Sequence, residues 1–182
     1  MRVTLFDVLI LLAVFGGGFY GFSRGFFSQA VGTISIYIST VISTLSYRGL
    51  SRLLSGSTGQ PSLSTDMLAF ILLMVVIYTM FVLLGRELTM EIDIETMGIW
   101  VNLGGMIFGL INTVLLCALL LIIIRSGTAD KWYGYDNFRL FLYRQTYGSW
   151  MAFTFQPAMR LLLITVKPWM FGGELPRLLK TL

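Results

Sequence analysis

The sequence predicts an all-α integral membrane protein, with four transmembrane helices and a C-terminal interfacial helical tail. Three observations carry this expectation. Hydrophobic residues make up 56% of the 182-residue chain and charged residues only 12%, well below the charged fraction usual for soluble domains. With a mean hydropathy of +0.81, apolar side chains must face lipid as well as an interior. The apolar residues also gather into four long uncharged stretches, and small residues recur inside them at four-residue steps, the spacing of one helix face.

The first stretch, Val8 to Ser23, reaches Val3 if Asp7 is tolerated. Asp7 and Arg24 then stand roughly 25 Å apart at 1.5 Å per residue, close to the two edges of the hydrocarbon core. Ala13, Gly17, Gly21 and Gly25 recur every fourth residue and leave a groove without side chains along this segment. In lipid such a groove lets a second helix approach closely. The second stretch, Gly25 to Tyr47, offers small residues at Ser28, Gly32, Ser35, Ser39, Ser43 and Ser46. The expectation is a tight helical hairpin, Val3 to Ser46, folded about Ser23-Arg24-Gly25, with the serine stripe seated in the glycine groove. A re-entrant hairpin competes, because the glycines between residues 16 and 25 could break the helix. A full span is preferred, since Arg24 must be hydrated and the second stretch is long enough to cross.

Arg48 to Thr65 contains Ser-Gly-Ser-Thr-Gly-Gln-Pro and reads as a polar loop. Met67 to Gly85 is the third stretch, bounded by Asp66 and Arg86. An acidic loop with Glu87, Glu91, Asp93 and Glu95 follows. The fourth stretch, Met97 to Ile124, carries a second G-x-x-x-G groove at Gly105 and Gly109, and ends at Arg125. Asn112 lies deep within it and is expected to hydrogen-bond another helix, a contact worth about 1 kcal/mol in lipid.

The boundary between the spans and the tail is placed at residue 125, giving a transmembrane domain over 1–125 and a basic, aromatic tail over 126–182. Trp150 to Val166 is apolar, but Pro157 and Arg160 interrupt it. Met159, Leu162, Leu163 and Val166 follow i, i+3, i+4, i+7, with Arg160 and Lys167 on another face. That pattern suits a helix lying in the membrane interface, cations toward anionic headgroups, or docked on a partner subunit. With four spans, Arg2, Arg48, Arg52 and eight tail cations share one side against Arg24 and Arg86 on the other. The positive-inside rule then puts both termini in the cytoplasm.

No constellation for catalysis stands out. The chain has no histidine and one cysteine, Cys117, so neither an intrachain disulfide nor a His/Cys metal cluster can form. No phosphate-binding loop with its lysine and no Ser/His/Asp set is present. The expectation is therefore a non-enzymatic protein without cofactor or metal and without nucleic acid as a partner. Two ionisable groups carry a functional reading, Asp7 as part of a proton or ion path and Arg24 at the hairpin apex. For Asp7 the competing reading is a carboxylate paired with a nearby cation or set at a helix N-terminus, where the dipole favours it. Asp66, which follows Ser64-Thr65 at a helix start, is explained by capping.

Asp7 opening the first span, followed by Gly17-x-x-x-Gly21-x-x-Arg24-Gly25-Phe26, resembles the start of the colicin V production protein (CvpA) family. Asn102-Leu103-Gly104-Gly105-Met106-Ile107-Phe108-Gly109 is similar to that family's glycine-rich last span. The family's basic residue before these glycines is replaced here by Asn102 or Leu103, and its Arg-Gly pair after them by Asn112-Thr113. The tail is also longer and more aromatic than the family's pattern. The resemblance implies a small bacterial inner-membrane protein with a role in export, envelope upkeep or stress tolerance. The glycine-rich helix faces add the expectation that its work is association, packing with copies of itself or with other membrane-protein subunits, alongside membrane lipids. Two rival readings remain, an accessory subunit of an energy-transducing or transport complex and a small channel or transporter using Asp7.

Overall fold

A computed structural model describes residues 4–56, 63–89, 98–129 and 136–169. Among them all regular structure is helical: α1 (Leu5–Leu54), α2 (Leu63–Thr89), α3 (Gly98–Ala129), α4 (Asp136–Tyr147), α5 (Trp150–Thr154) and α6 (Gln156–Val166), closed by a 3-10 turn, Lys167–Trp169. Three helices are long and apolar enough to cross a membrane: Leu5–Leu54, Leu63–Gly85 and Gly98–Thr128. The protein is membrane-embedded and, over the described residues, all-helical.

The first two apolar stretches are joined within α1, so three long helices stand among the described residues where four were expected. A straight helix of 50 residues would run about 75 Å, more than twice the hydrocarbon thickness. α1 is not straight. Gly25 adopts φ 76° and ψ 170°, a left-handed φ open to glycine at little cost, and divides it into a first arm (residues 5–24) and a second arm (residues 26–54).

The neighbours of the two arms give their directions. Along the first arm Gly17 faces Gly109 and Thr113, Gly21 faces Gly105 and Gly109, and Gly25 faces Val101, so this arm runs antiparallel to α3. Along the second arm Phe26 meets Gly104, Gly32 meets Asn112, and Thr40 shares a crevice with Leu119 and Ile122, so that arm runs parallel to α3. The chain thus reverses at Gly25 with no loop between the arms. α2 returns along the second arm, with Phe70 edge-on to Tyr47 and Gly85 against Val31.

Local chemistry sets the ends of these helices. Thr4 caps α1 in a reciprocal capping box with Asp7. The α1 C-terminus is followed by Gly56, at φ 55°, and Gly98, at φ 61°, opens α3. Pro157 in the first turn of α6 separates that helix from α5, because proline has no N–H to continue the preceding ladder.

The core joins Ile10 of the first arm, Tyr47 of the second, Phe70 of α2, Leu119 and Ile122 of α3, and Met159 of α6. The amphipathic face predicted for α6 is present: Met159, Leu162 and Val166 are buried and Leu163 is half-buried, while Arg160 and Lys167 are exposed. That face packs on the chain's own helices, against Thr40, Phe70, Leu119 and Ile122, where a headgroup layer or another subunit was expected. The expected boundary at residue 125 falls inside α3, which continues to Ala129. The acidic-loop residues Glu91, Asp93 and Glu95 and the chain beyond Trp169 lie outside the described residues.

Candidate functional site: a glycine crossing, a buried amide and a carboxylate latch

The first arm crosses α3 with no side chain between the backbones. A Cβ placed on Gly21 would overlap the Gly105 carbonyl and stand 2.8 Å from Gly109 Cα. A Cβ on Gly109 would overlap the Gly17 carbonyl and stand 2.8 Å from Gly21 Cα, and one on Gly105 would stand 2.8 Å from Gly25 Cα. Gly17, Gly21 and Gly25 therefore interlock with Gly105, Gly109 and Thr113. The two grooves found in the sequence meet each other, and the serine stripe is not the partner. Ser35 and Ser39 are buried, but their hydroxyls return to their own helix, at Val31 O (2.8 Å) and Ile36 O (3.0 Å). Two glycine faces permit a closer backbone approach than a glycine face against serines, whose Cβ and Oγ remain in the way. Ser28 is half-buried, and Ala13 is exposed beyond the contact.

One turn beyond the crossing, Asn112 ties α3 to the second arm. Its Nδ2 donates to the backbone carbonyl and to Oε1 of Gln29, both at 2.9 Å, and its Oδ1 accepts from Thr33 Oγ1 at 2.6 Å. Gly32 leaves room for the amide, since a Cβ there would lie 3.0 Å from Nδ2. Phe26 closes the apex side, edge-on to Phe108 at 4.9 Å. Asn112 was singled out in the sequence. Gln29 was not, although an uncharged amide inside an apolar run was the signal that would have found it.

Asp7 and Arg24 lie toward opposite ends of the first arm and do not come together. Arg24 is exposed, its guanidinium 5.4 Å from the Tyr20 ring centroid. Asp7 is buried, and both its oxygens are occupied. Oδ2 accepts from Thr4 N (2.7 Å) and Thr4 Oγ1 (2.9 Å), and Oδ1 accepts from Ser149 Oγ (2.5 Å) and Met151 N (2.8 Å). Ser149 Oγ in turn accepts from Ala152 N at 3.0 Å and caps α5. One carboxylate thus finishes the α1 N-terminus and holds the start of α5. A second tie has the same chemistry: Ser51 Oγ donates to Asp66 Oδ1 at 2.5 Å, joining the end of α1 to the first turn of α2. At the far end of the tail Trp169 Nε1 donates to Tyr37 OH (2.9 Å), which donates to Thr165 O (3.1 Å).

Long apolar helices tied by buried polar groups define an α-helical membrane protein. Within that class, the colicin V production protein family model matches residues 6–156, and the chain belongs to that family. The match covers all three long helices together with α4 and α5, well beyond the two glycine regions that suggested it. No match was found among curated proteins or among solved structures.

Proposed function

We propose that this protein is a non-enzymatic, four-crossing inner-membrane scaffold serving export or envelope homeostasis, with both termini in the cytoplasm. The observation that carries this reading is where its intramembrane polar groups go. Asp7, Asn112 and Asp66 each bond another segment of the same chain, as groups that build a bundle do. A carboxylate on an ion path needs free coordination, and both Asp7 oxygens are already filled by the chain's own donors. The reversal at Gly25 supports four crossings, since arms of about 30 Å and about 43 Å can each traverse the hydrocarbon. The Lys/Arg asymmetry supports the orientation.

Association with copies of itself or with other membrane subunits then falls to the exposed apolar faces rather than to the glycine grooves, which the chain uses internally. Leu9, Leu12, Phe15 and Phe19 on the first arm, and Leu72, Val76 and Leu83 on α2, are exposed and suit lipid or a neighbouring helix. A second reading, an accessory subunit of a larger transport or energy-transducing complex, is favoured by Trp150, Phe153 and Trp169, which remain exposed on the docked tail. Extraction in mild detergent with a tag on the intact chain distinguishes the two. A self-assembly or a small set of envelope proteins fits the first reading, and stoichiometric recovery of one large complex fits the second. Ion flux through liposomes of the purified protein, abolished by Asp7→Asn, would contradict both.

A further inference from the structure

α3 carries no charged residue from Gly98 to Ile124. At 1.5 Å per residue that is about 40 Å, enough to cross the hydrocarbon core and bring the next residue, Arg125, to headgroup depth. An arginine there ordinarily extends its guanidinium to water. Arg125 instead is only 8% exposed, and its guanidinium lies 5.1 Å from the Tyr147 ring centroid on α4. Its Nε, a buried donor, meets no acceptor, and among the described residues no carboxylate pairs with it. The next residue, Ser126, is 1% exposed and its hydroxyl is also without a partner. Asp7 is occupied by Thr4, Ser149 and Met151, Asp66 accepts from Ser51, and Asp136 pairs with Arg139. A buried cation without a counter-charge is costly, and a ring face offsets only part of that cost.

We propose that Arg125, resting on Tyr147, is the anchor of a phosphate-binding site, and that its depth favours the phosphate of an anionic phospholipid headgroup as the source. Guanidinium suits this ligand because its planar donors match two phosphate oxygens at once. An anionic headgroup also supplies the uncancelled negative charge that Arg125 lacks, whereas the choline ammonium neutralises the phosphate of phosphatidylcholine. Arg144, exposed one turn before Tyr147 on α4, adds positive potential beside it. Such a site requires only that α3 spans, and it stands whether or not the protein is the scaffold proposed above.

The test uses the full chain in nanodiscs of phosphatidylcholine, with and without phosphatidylglycerol of matched acyl chains, and reads the thermal unfolding midpoint. Phosphatidylglycerol should raise the wild-type midpoint, Arg125→Gln should abolish the rise, and Arg52→Gln, at an exposed position at the end of α1, should keep it. Arg125→Met removes the buried charge without leaving a hole. In phosphatidylcholine alone it should melt no lower than wild type, and it should gain nothing from phosphatidylglycerol. Inorganic phosphate is added to the phosphatidylcholine discs as a separate arm. A rise there that needs Arg125 keeps the site and makes free phosphate its source. A phosphatidylglycerol effect that survives in the Arg125 variants would overturn the proposal. So would the absence of any response to either additive, or an Arg125→Met protein that unfolds in phosphatidylcholine.

Discussion

Ser149 donates a 2.5 Å hydrogen bond to Asp7 across 142 positions of sequence, and through it the last helices are held to the first. The same carboxylate oxygen accepts from Met151 N, so the α5 backbone is tied as well as its cap. Hydrogen bonds to a charged group are worth about 1.5–3 kcal/mol each. Asp7→Ala should therefore destabilise the tail by roughly 3–6 kcal/mol, and Ser149→Ala by about 1.5–3 kcal/mol, since Met151 N keeps its acceptor. Limited proteolysis in mild detergent reads this directly. Cleavage between α4 and α6 should accelerate strongly in Asp7→Ala and modestly in Ser149→Ala, and equal rates would show that the latch is not what holds the tail.

The Asn112 amide makes three bonds to the second arm. Asn112→Leu should cost about 1–2 kcal/mol, because the buried Gln29 Oε1 then loses its donor, while Thr33 Oγ1 keeps its bond to Gln29 O. A double-mutant cycle with Thr33→Val should show a coupling of about 0.6 kcal/mol, the usual scale for such pairs in lipid. Strict additivity would mean that the 2.6 Å contact contributes nothing.

The fold was legible in the sequence where it is periodic, and obscure where it depends on pairing. The four-step glycines announced two grooves because a helix face repeats itself in sequence. What fills a groove is not written there, since serines and glycines are both small enough. The structure brought Gly105 and Gly109 to Gly17 and Gly21, and left Ser35 and Ser39 bonded within their own helix. The reversal expected about Ser23-Arg24-Gly25 falls at Gly25, and the first two stretches still form one continuous element because a single glycine, with no polar loop, turns the chain. The partner of Asp7 was hidden by its distance along the chain. The only local sign was Ser149, a capping residue standing before Trp150-Met151-Ala152.

The buried face of α6 distinguishes a docked tail from one that floats in the interface. Leu162, 4% exposed, should cost about 2–4 kcal/mol when cut to alanine. Ile164, 69% exposed on the same helix, should change stability by less than about 0.5 kcal/mol. Chemical unfolding in detergent checks both, and similar values for the two would place α6 away from the bundle.

Topology follows from the proposed crossings. In a Cys117→Ala background, cysteines introduced at Ser57 and at Leu182 should be labelled only from the cytoplasmic side, and one at Asp93 only from outside. Labelling of Ser57→Cys and Asp93→Cys from the same side would exclude a single crossing by α2.

The interlock of Gly21 with Gly105 and Gly109 is the contact on which the bundle depends, and Gly16 supplies its internal control. Gly16 lies on the same arm, and a Cβ added there would meet nothing within 4 Å, whereas Gly21 faces backbone that has no freedom to give way. Gly21→Leu must separate the first arm from α3 at a cost of roughly 3 kcal/mol or more. Gly16→Leu adds a lipid-facing side chain and improves helix propensity by up to about 0.8 kcal/mol. The deciding measurement is the thermal unfolding midpoint of the two variants in the same membrane mimic. A large drop for Gly21→Leu with Gly16→Leu at or above wild type is the predicted result, and equal midpoints for the two would contradict a bundle closed through its glycine faces.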